Sequence, residues 1–206
     1  MLFKSSISGK TLGLLNQLMQ LESLHDFHLV GRTALSLQIG HRISFDIDLF
    51  GQGELGIQII KEIENVADEV EQLSRSNVIM TLMVNGIKVD LVKYPFDLIE
   101  PSLVNEGIRM IGLKDICAMK LEAINNRGKK RDFTDLYFLL NQFTLKDMFS
   151  FYQKKYKSGN ELMLLRSLMY FEDANRDEPV KYIGNPVAWE DIKKKVKEQA
   201  QLFMDG

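Results

Sequence analysis

Cysteine is nearly absent from this chain. Cys117 is the only one in 206 residues, which excludes an internal disulfide and a cysteine-rich zinc site. Histidine is scarce too: the three are His25, His28 and His41, and no acidic partner of the HExxH kind accompanies them, so zinc has no convincing ligand set. No apolar run approaches the roughly 20 residues of a membrane span. Met1–Ser6 carries one lysine with no long apolar stretch behind it. The sequence therefore predicts no membrane association and no signal peptide, and points to a cytoplasmic protein. An excess of one charge is missing as well, since 26 Lys and Arg against 28 Asp and Glu leave a formal net charge of −2. A protein that coats nucleic acid over its whole face is usually basic. That class is disfavoured, whereas a local basic patch beside an acidic site is not.

What is present is ordinary for a soluble globular protein, 45% hydrophobic and 26% charged, with length for one or two compact domains. Leu12, Leu15, Leu18 and Leu21 recur at helical spacing and predict a helix over 11–24. Residues 27–30 read as a short strand, 33–39 as a brief helix stopped by Gly40, 45–50 as an acidic half-buried strand, and 55–70 as a helix. Two β-branched runs, 78–84 and 87–92, flank Asn85-Gly86, the strongest short-range hairpin signal. Pro95 and Pro101 punctuate a loop. From Leu113 the pattern is helical, over 113–127, 132–142, 145–157, 160–172 and 187–203. The last segment carries Trp189, Ile192, Val196 and Phe203 on one face. A boundary near Gly112 separates an α/β half, 1–112, from a helical half, 113–206, and the fold class expected is α+β.

Asp46-Ile47-Asp48 is the first feature with chemical content. Residues two apart in a strand face the same way, and neighbouring carboxylates repel unless something cationic joins them. Oxygen ligands suit Mg²⁺ or Mn²⁺. Asp90 sits mid-strand in Ile87–Val92, where propensity disfavours an acid. If that hairpin pairs beside the Asp46–Asp48 strand, three carboxylates converge. Such a trio can hold two metals about 3.5–4 Å apart, with Asp90 placed to accept a proton from an attacking hydroxyl. Spacing alone leaves the alternative of a solvated strand face. Upstream, Val30-Gly31 ends a strand and Thr33-Ala34-Leu35 opens a helix, a turn whose N–H groups suit phosphate oxygens.

The helical half has its own odd charges. Lys120 falls within an apolar stripe of Leu113, Ile116, Cys117, Leu121 and Ile124, and an ammonium so placed needs a carboxylate or a phosphate. Asp132 and Asp135 share a helix face with Leu136, Leu139 and Leu140. With a helix starting near 132, Asp132 is a good N-cap and Asp135 a favoured first-turn acid. Arg127-Gly128-Lys129-Lys130-Arg131 is a basic loop able to steer an RNA or a nucleotide. Arg42, just before the acidic strand, is a phosphate-contact candidate.

Leu29–Leu35 followed by Ile39–Phe50 resembles the signature of AbiEii/AbiGii-type toxin nucleotidyltransferases, within the DNA-polymerase-β-like superfamily. The resemblance continues through Lys88-Val89-Asp90, Asp115–Lys120 and Arg131–Leu136, covering most of 27–142. It implies a nucleotidyltransferase-like mixed sheet with flanking helices, followed by a C-terminal helical bundle. It also implies a nucleoside triphosphate and Mg²⁺ (or Mn²⁺) bound between Gly31 and the metal ligands Asp46, Asp48 and Asp90. The nucleotide site would include Gly31, Arg32, Thr33, Arg42 and Lys120, the last on the triphosphate. Lys120 and Asp132 would join the three aspartates as catalytic residues. The implied partners are an RNA acceptor, such as a tRNA 3′ end, and an antitoxin protein. One departure stands out: the family has Gly-Gly where this chain has Gly31-Arg32. Arg32 either blocks the backbone's approach to phosphate or binds phosphate itself. Two other readings remain at this point. One is a DxD phosphatase of the haloacid dehalogenase type, opposed by Phe50 two residues beyond Asp48. The other is a degenerate binding module with Arg32 filling the pocket.

Overall fold

The computed structural model describes residues 1–157 and 159–205. Two compact units emerge. One comprises Met1–Phe96 with Pro101–Gly112, the other Asp97–Glu100 with the chain from Leu113 onward.

The first unit is built on a seven-stranded mixed sheet, ordered β3-β4-β5-β2-β1-β7-β6. Its strands are β1 (Phe27–Leu29), β2 (Ile47–Gly51), β3 (Val70–Arg75), β4 (Ile79–Val84), β5 (Ile87–Lys93), β6 (Leu103–Asn105) and β7 (Ile108–Met110). β2 runs parallel to β5 and antiparallel to β1. The helices of this unit are α1 (Gly9–Leu18), α2 (Gly31–Ile39) and α3 (Ile57–Glu64).

Period-two alternation gives the sheet two different faces. Val84, Leu82 and Met80 on β4 lie opposite Ile87, Val89 and Leu91 on β5, and Val89 and Leu91 lie opposite Ile47 and Leu49 on β2. Apart from the half-buried Ile87 these side chains are fully buried, in a core that also includes Leu15, Leu18, Leu35, Leu37 and Ile63 from the three helices. The other face carries the intervening residues: Thr81, Lys88, Asp90 and Asp48.

Local signals produced the elements they predicted. Asn85 and Gly86 turn the β4–β5 hairpin at φ 49° and 77°, the doubly positive pair that suits the right-handed twist of the flanking strands. Gly40 ends α2 in the left-handed conformation, its N–H donating to Ser36 O. Other expectations need correction. The helix over 11–24 stops at Leu18, and Glu22–Leu24 form a separate 3-10 turn. The helix over 55–70 covers only Ile57–Glu64, and Val70 begins β3, an edge strand whose remaining residues are all exposed. β3 is defined by its ladder with β4, not by an alternation of its own. β6 and β7 are three residues each, joined through Glu106 and Gly107 at φ 52° and 81°.

The second unit is helical: α4 (Leu113–Asn126), α5 (Lys130–Leu139), α6 (Leu145–Lys155), α7 (Glu161–Met169), the single turn α8 (Glu172–Asn175) and α9 (Trp189–Asp205). α4 packs on α5, α6 and α7. It buries Cys117, whose thiol burial pushes well above its ordinary value. Thr144 and Asp147 form a capping box on α6. α5 starts two residues earlier than expected, so Asp132 is not its N-cap. That duty falls to Asp177, whose Oδ2 accepts from Lys130 N at 2.8 Å.

One buried ion pair fixes this unit's short detached segment. Lys155 Nζ lies 2.7 Å from Asp115 Oδ1, both side chains sealed from solvent. Asp115 also accepts from the N–H groups of Ile99 and Glu100, and Lys155 donates to Asp97 O at 2.9 Å. Each buried charge is thus satisfied by backbone as well as by its partner. Lys155→Met is expected to cost about 3–5 kcal/mol by stranding the Asp115 carboxylate, as read from urea unfolding. Asp115→Asn combined with Lys155→Met should recover part of that loss.

Candidate active site

Asp48 and Asp90 face each other directly in the parallel β2–β5 ladder. Residues in register on adjacent strands point to the same face, so these carboxylates are neighbours across the sheet. Thr81, opposite Asp90 on β4, donates from Oγ1 to Asp90 Oδ1 at 2.7 Å. Lys88, two residues back on β5 and therefore on the same face, donates to Asp90 Oδ2. Sequence reasoning missed both Thr81 and Lys88. Their signal was the period-two spacing from Asp90 and the hairpin register.

Asp46 stands just before β2, not within it, because the strand begins at Ile47. Its carboxylate pairs with Arg32 on the first turn of α2. The structure thus gives Arg32 a partner among the three acids. Thr33, expected at the nucleotide, is instead fully buried. Its hydroxyl donates to Asp46 O and lies 2.8 Å from Ser44 Oγ. Because α2 begins at Gly31, Thr33 falls on the inward side of the first turn, where it positions the backbone of Asp46. Arg42 is buried as well, with Nη1 donating to Ile43 O at 3.5 Å.

Gly31 has φ +64°, and a Cβ built there would lie 2.9 Å from Asp48 Oδ2. The left-handed backbone favours glycine, and a side chain there would push the carboxylate aside. Val30 N–H donates to Asp48 O at 2.9 Å and fixes the start of α2 against β2. A helix N-terminus, two register-matched carboxylates and a third acid therefore occupy one region of the first unit. As placed, no three His, Cys, Asp or Glu side chains among the described residues form a group able to hold an ion. Asp46 is drawn to Arg32, and Asp90 to Thr81 and Lys88.

Lys120, Asp132 and Asp135 lie in the second unit and are all buried. Lys120 Nζ is 2.5 Å from Asp135 Oδ2 and 3.5 Å from Asp132 Oδ1. Within that unit the ammonium is met by carboxylates, one of the two solutions its stripe position demanded. Arg127 grips Asp132 with two bonds, Nε to Oδ2 at 2.9 Å and Nη2 to Oδ1 at 3.1 Å. Burial pushes the Asp132 carboxyl up, but Lys120 and Arg127 outweigh it and hold it below its ordinary value.

A mixed sheet with a glycine-led helix beside an acidic strand pair defines a nucleotidyltransferase-like fold, and solved structures share it. JHP933 from Helicobacter pylori superposes with a TM-score of 0.62 at 20% identity, over 96% of this chain and 93% of that one. MenT4, a nucleotidyltransferase toxin from Mycobacterium tuberculosis H37Rv, gives 0.65 at 14% identity, over 96% and 82%. The family model of the nucleotidyl transferase AbiEii toxin, of type IV toxin–antitoxin systems, matches residues 13–205, and the chain belongs to that family. An uncharacterised protein of Aquifex aeolicus strain VF5 is 37% identical over 199 residues, which are 93% of this chain and 95% of that protein.

Two outcomes follow from this geometry. Gly31→Ala should displace the Asp48 carboxylate and cut nucleotidyl transfer by about 10²-fold, while costing only about 1–2 kcal/mol for the left-handed backbone. Steady-state labelling and thermal melts separate the two effects. Asp132, with its folded pKa depressed, stabilises the protein above its unfolded value, ordinarily near 3.8, and that contribution is lost as pH falls through the lower folded value. Asp132→Asn should therefore cost about 3 kcal/mol at pH 7, with the gap to wild type narrowing below about pH 4 in urea titrations.

Proposed function

We propose that this family member moves a nucleoside monophosphate from a nucleoside triphosphate to a hydroxyl of an RNA acceptor, such as a tRNA 3′ end. In this reading Asp46, Asp48 and Asp90 hold Mg²⁺ or Mn²⁺. The observation that carries it is the Asp48–Asp90 register beside Gly31. The donor set is oxygen only, which suits a hard cation. Bound there, the metal would neutralise charge on the triphosphate.

The protein's own groups do the remaining work. Backbone N–H groups at the start of α2 donate to phosphate oxygens. Asp90, its two oxygens oriented by Thr81 and Lys88, takes the proton of the acceptor hydroxyl as that oxygen bonds to the α-phosphorus. The bond from the α-phosphorus to its bridging oxygen breaks, and pyrophosphate leaves. Lys120 and Asp132 are assigned to catalysis on the resemblance, with Lys120 as the triphosphate's cation. An antitoxin partner and a cytoplasmic setting belong to the same reading.

The Arg32–Asp46 ion pair favours a second reading, in which Arg32 occupies the pocket and the fold serves as a binding module. One experiment separates them. Purified protein is incubated with each radiolabelled triphosphate, Mg²⁺ and total tRNA. The enzyme reading expects label in RNA, lost on adding EDTA, restored by excess Mg²⁺, and reduced by about 10²–10³-fold in Asp48→Ala and Asp90→Ala. Absence of label with wild type, together with nucleotide binding gained in Arg32→Gly, would overturn it in favour of the module.

A further inference from the structure

The second unit contains a cavity of about 350 Å³ lined by α4, α7 and the turn after α4. The volume is that of a small-ligand site. Its walls carry Asn125, Arg127, Arg166, Ser167, Tyr170 and Asp173. Ser167 Oγ donates to Met163 O at 3.0 Å and lies 3.2 Å from Asn125 Oδ1. The Asn125 NH₂, the Arg166 guanidinium and the Tyr170 hydroxyl have no protein partner among the described residues. Tyr170 is 54% exposed, and Arg166 is exposed as well. An aromatic ring, two guanidiniums, an amide and a carboxylate around one nucleoside-sized space are a recognisable chemical set. The ring offers a stacking face, the arginines a phosphate contact, and Asn125 and Asp173 a donor and an acceptor for a base edge.

We propose that this cavity takes one nucleotide of a single-stranded RNA acceptor, its base on Tyr170 and its phosphate on Arg166 and Arg127. The proposal rests on the RNA-acceptor reading above and supplies the place where that RNA is held. Single-stranded RNA is favoured over duplex because a paired base has no free face for Tyr170. The site is not isolated within its unit. Arg127 also clamps Asp132, the partner of Lys120. A phosphate that draws on Arg127 loosens this clamp, so an occupied cavity is felt at the Lys120–Asp132–Asp135 cluster.

The test uses the full chain and a fluorescein-labelled octaribonucleotide of mixed sequence, followed by anisotropy, with nucleoside triphosphate affinity measured separately. Arg166→Ala and Tyr170→Ala are each expected to weaken RNA binding by about tenfold while leaving triphosphate affinity and melting temperature unchanged. Both side chains are exposed, so folding is not at issue. A blunt RNA duplex of the same length should compete at least about tenfold less well. RNA binding that is absent in wild type, indifferent to both substitutions, or equal for duplex and single strand overturns the subsite. Arg166-dependent RNA binding without label transfer by wild type retains the subsite and removes the transfer reaction proposed above.

Discussion

The pairing of β2 with β5 is the constraint on which the acidic site depends. In a ladder, a slip of one residue turns every side chain to the opposite face. Here the register is held by Ile47 and Leu49 against Val89 and Leu91, all fully buried. Moving any of them to the solvent face would expose a large apolar side chain, at about 1.5–3 kcal/mol each. The hydrophobic core thus sets the position of Asp48 and Asp90 indirectly. The acids stand together because their neighbours on the strand cannot stand anywhere else.

Charge compensation follows from that placement. Three carboxylates in one region are tolerable only with nearby cations. The chain supplies Arg32 to Asp46 and Lys88 to Asp90, with Thr81 bonded to the second oxygen of Asp90. Lys88 reaches Asp90 because two residues along a strand return to the same face. Arg32 reaches Asp46 because α2 begins at Gly31 and its first turn lies over the entry to β2. The second unit solves a similar problem more deeply, with the buried Lys120 between Asp132 and Asp135 and the exposed Arg127 reaching in to Asp132.

How much of this could be read from the residues depended on the range of the interaction. The Asn85-Gly86 turn and the Gly40 cap are set by neighbours in sequence, and both were legible. The pairing of β5 with β2 was legible only as a condition, because nothing local to either strand names its partner; the ladder sets Asp48 opposite Asp90. β3 was illegible, since an edge strand with exposed side chains on both sides carries no alternation. The N-terminus of α5 was misplaced because its capping carboxylate, Asp177, arrives from a distant segment. Asp115 and Lys155 gave no sign of each other for the same reason. The hold of Thr33 on the backbone of Asp46 depends on the exact start of α2, which the residues around Gly31 do not fix to the residue.

Cys117 carries a practical corollary of the packing around α4. A thiol that burial holds protonated is a poor nucleophile and a poor target for oxidants. Sealed from solvent, the protein's single sulfhydryl is out of reach of alkylating and oxidising reagents while the fold holds. A cysteine introduced at an exposed position would be the one reactive thiol on the molecule, so that a dye or spin probe could be attached there without first removing the native residue.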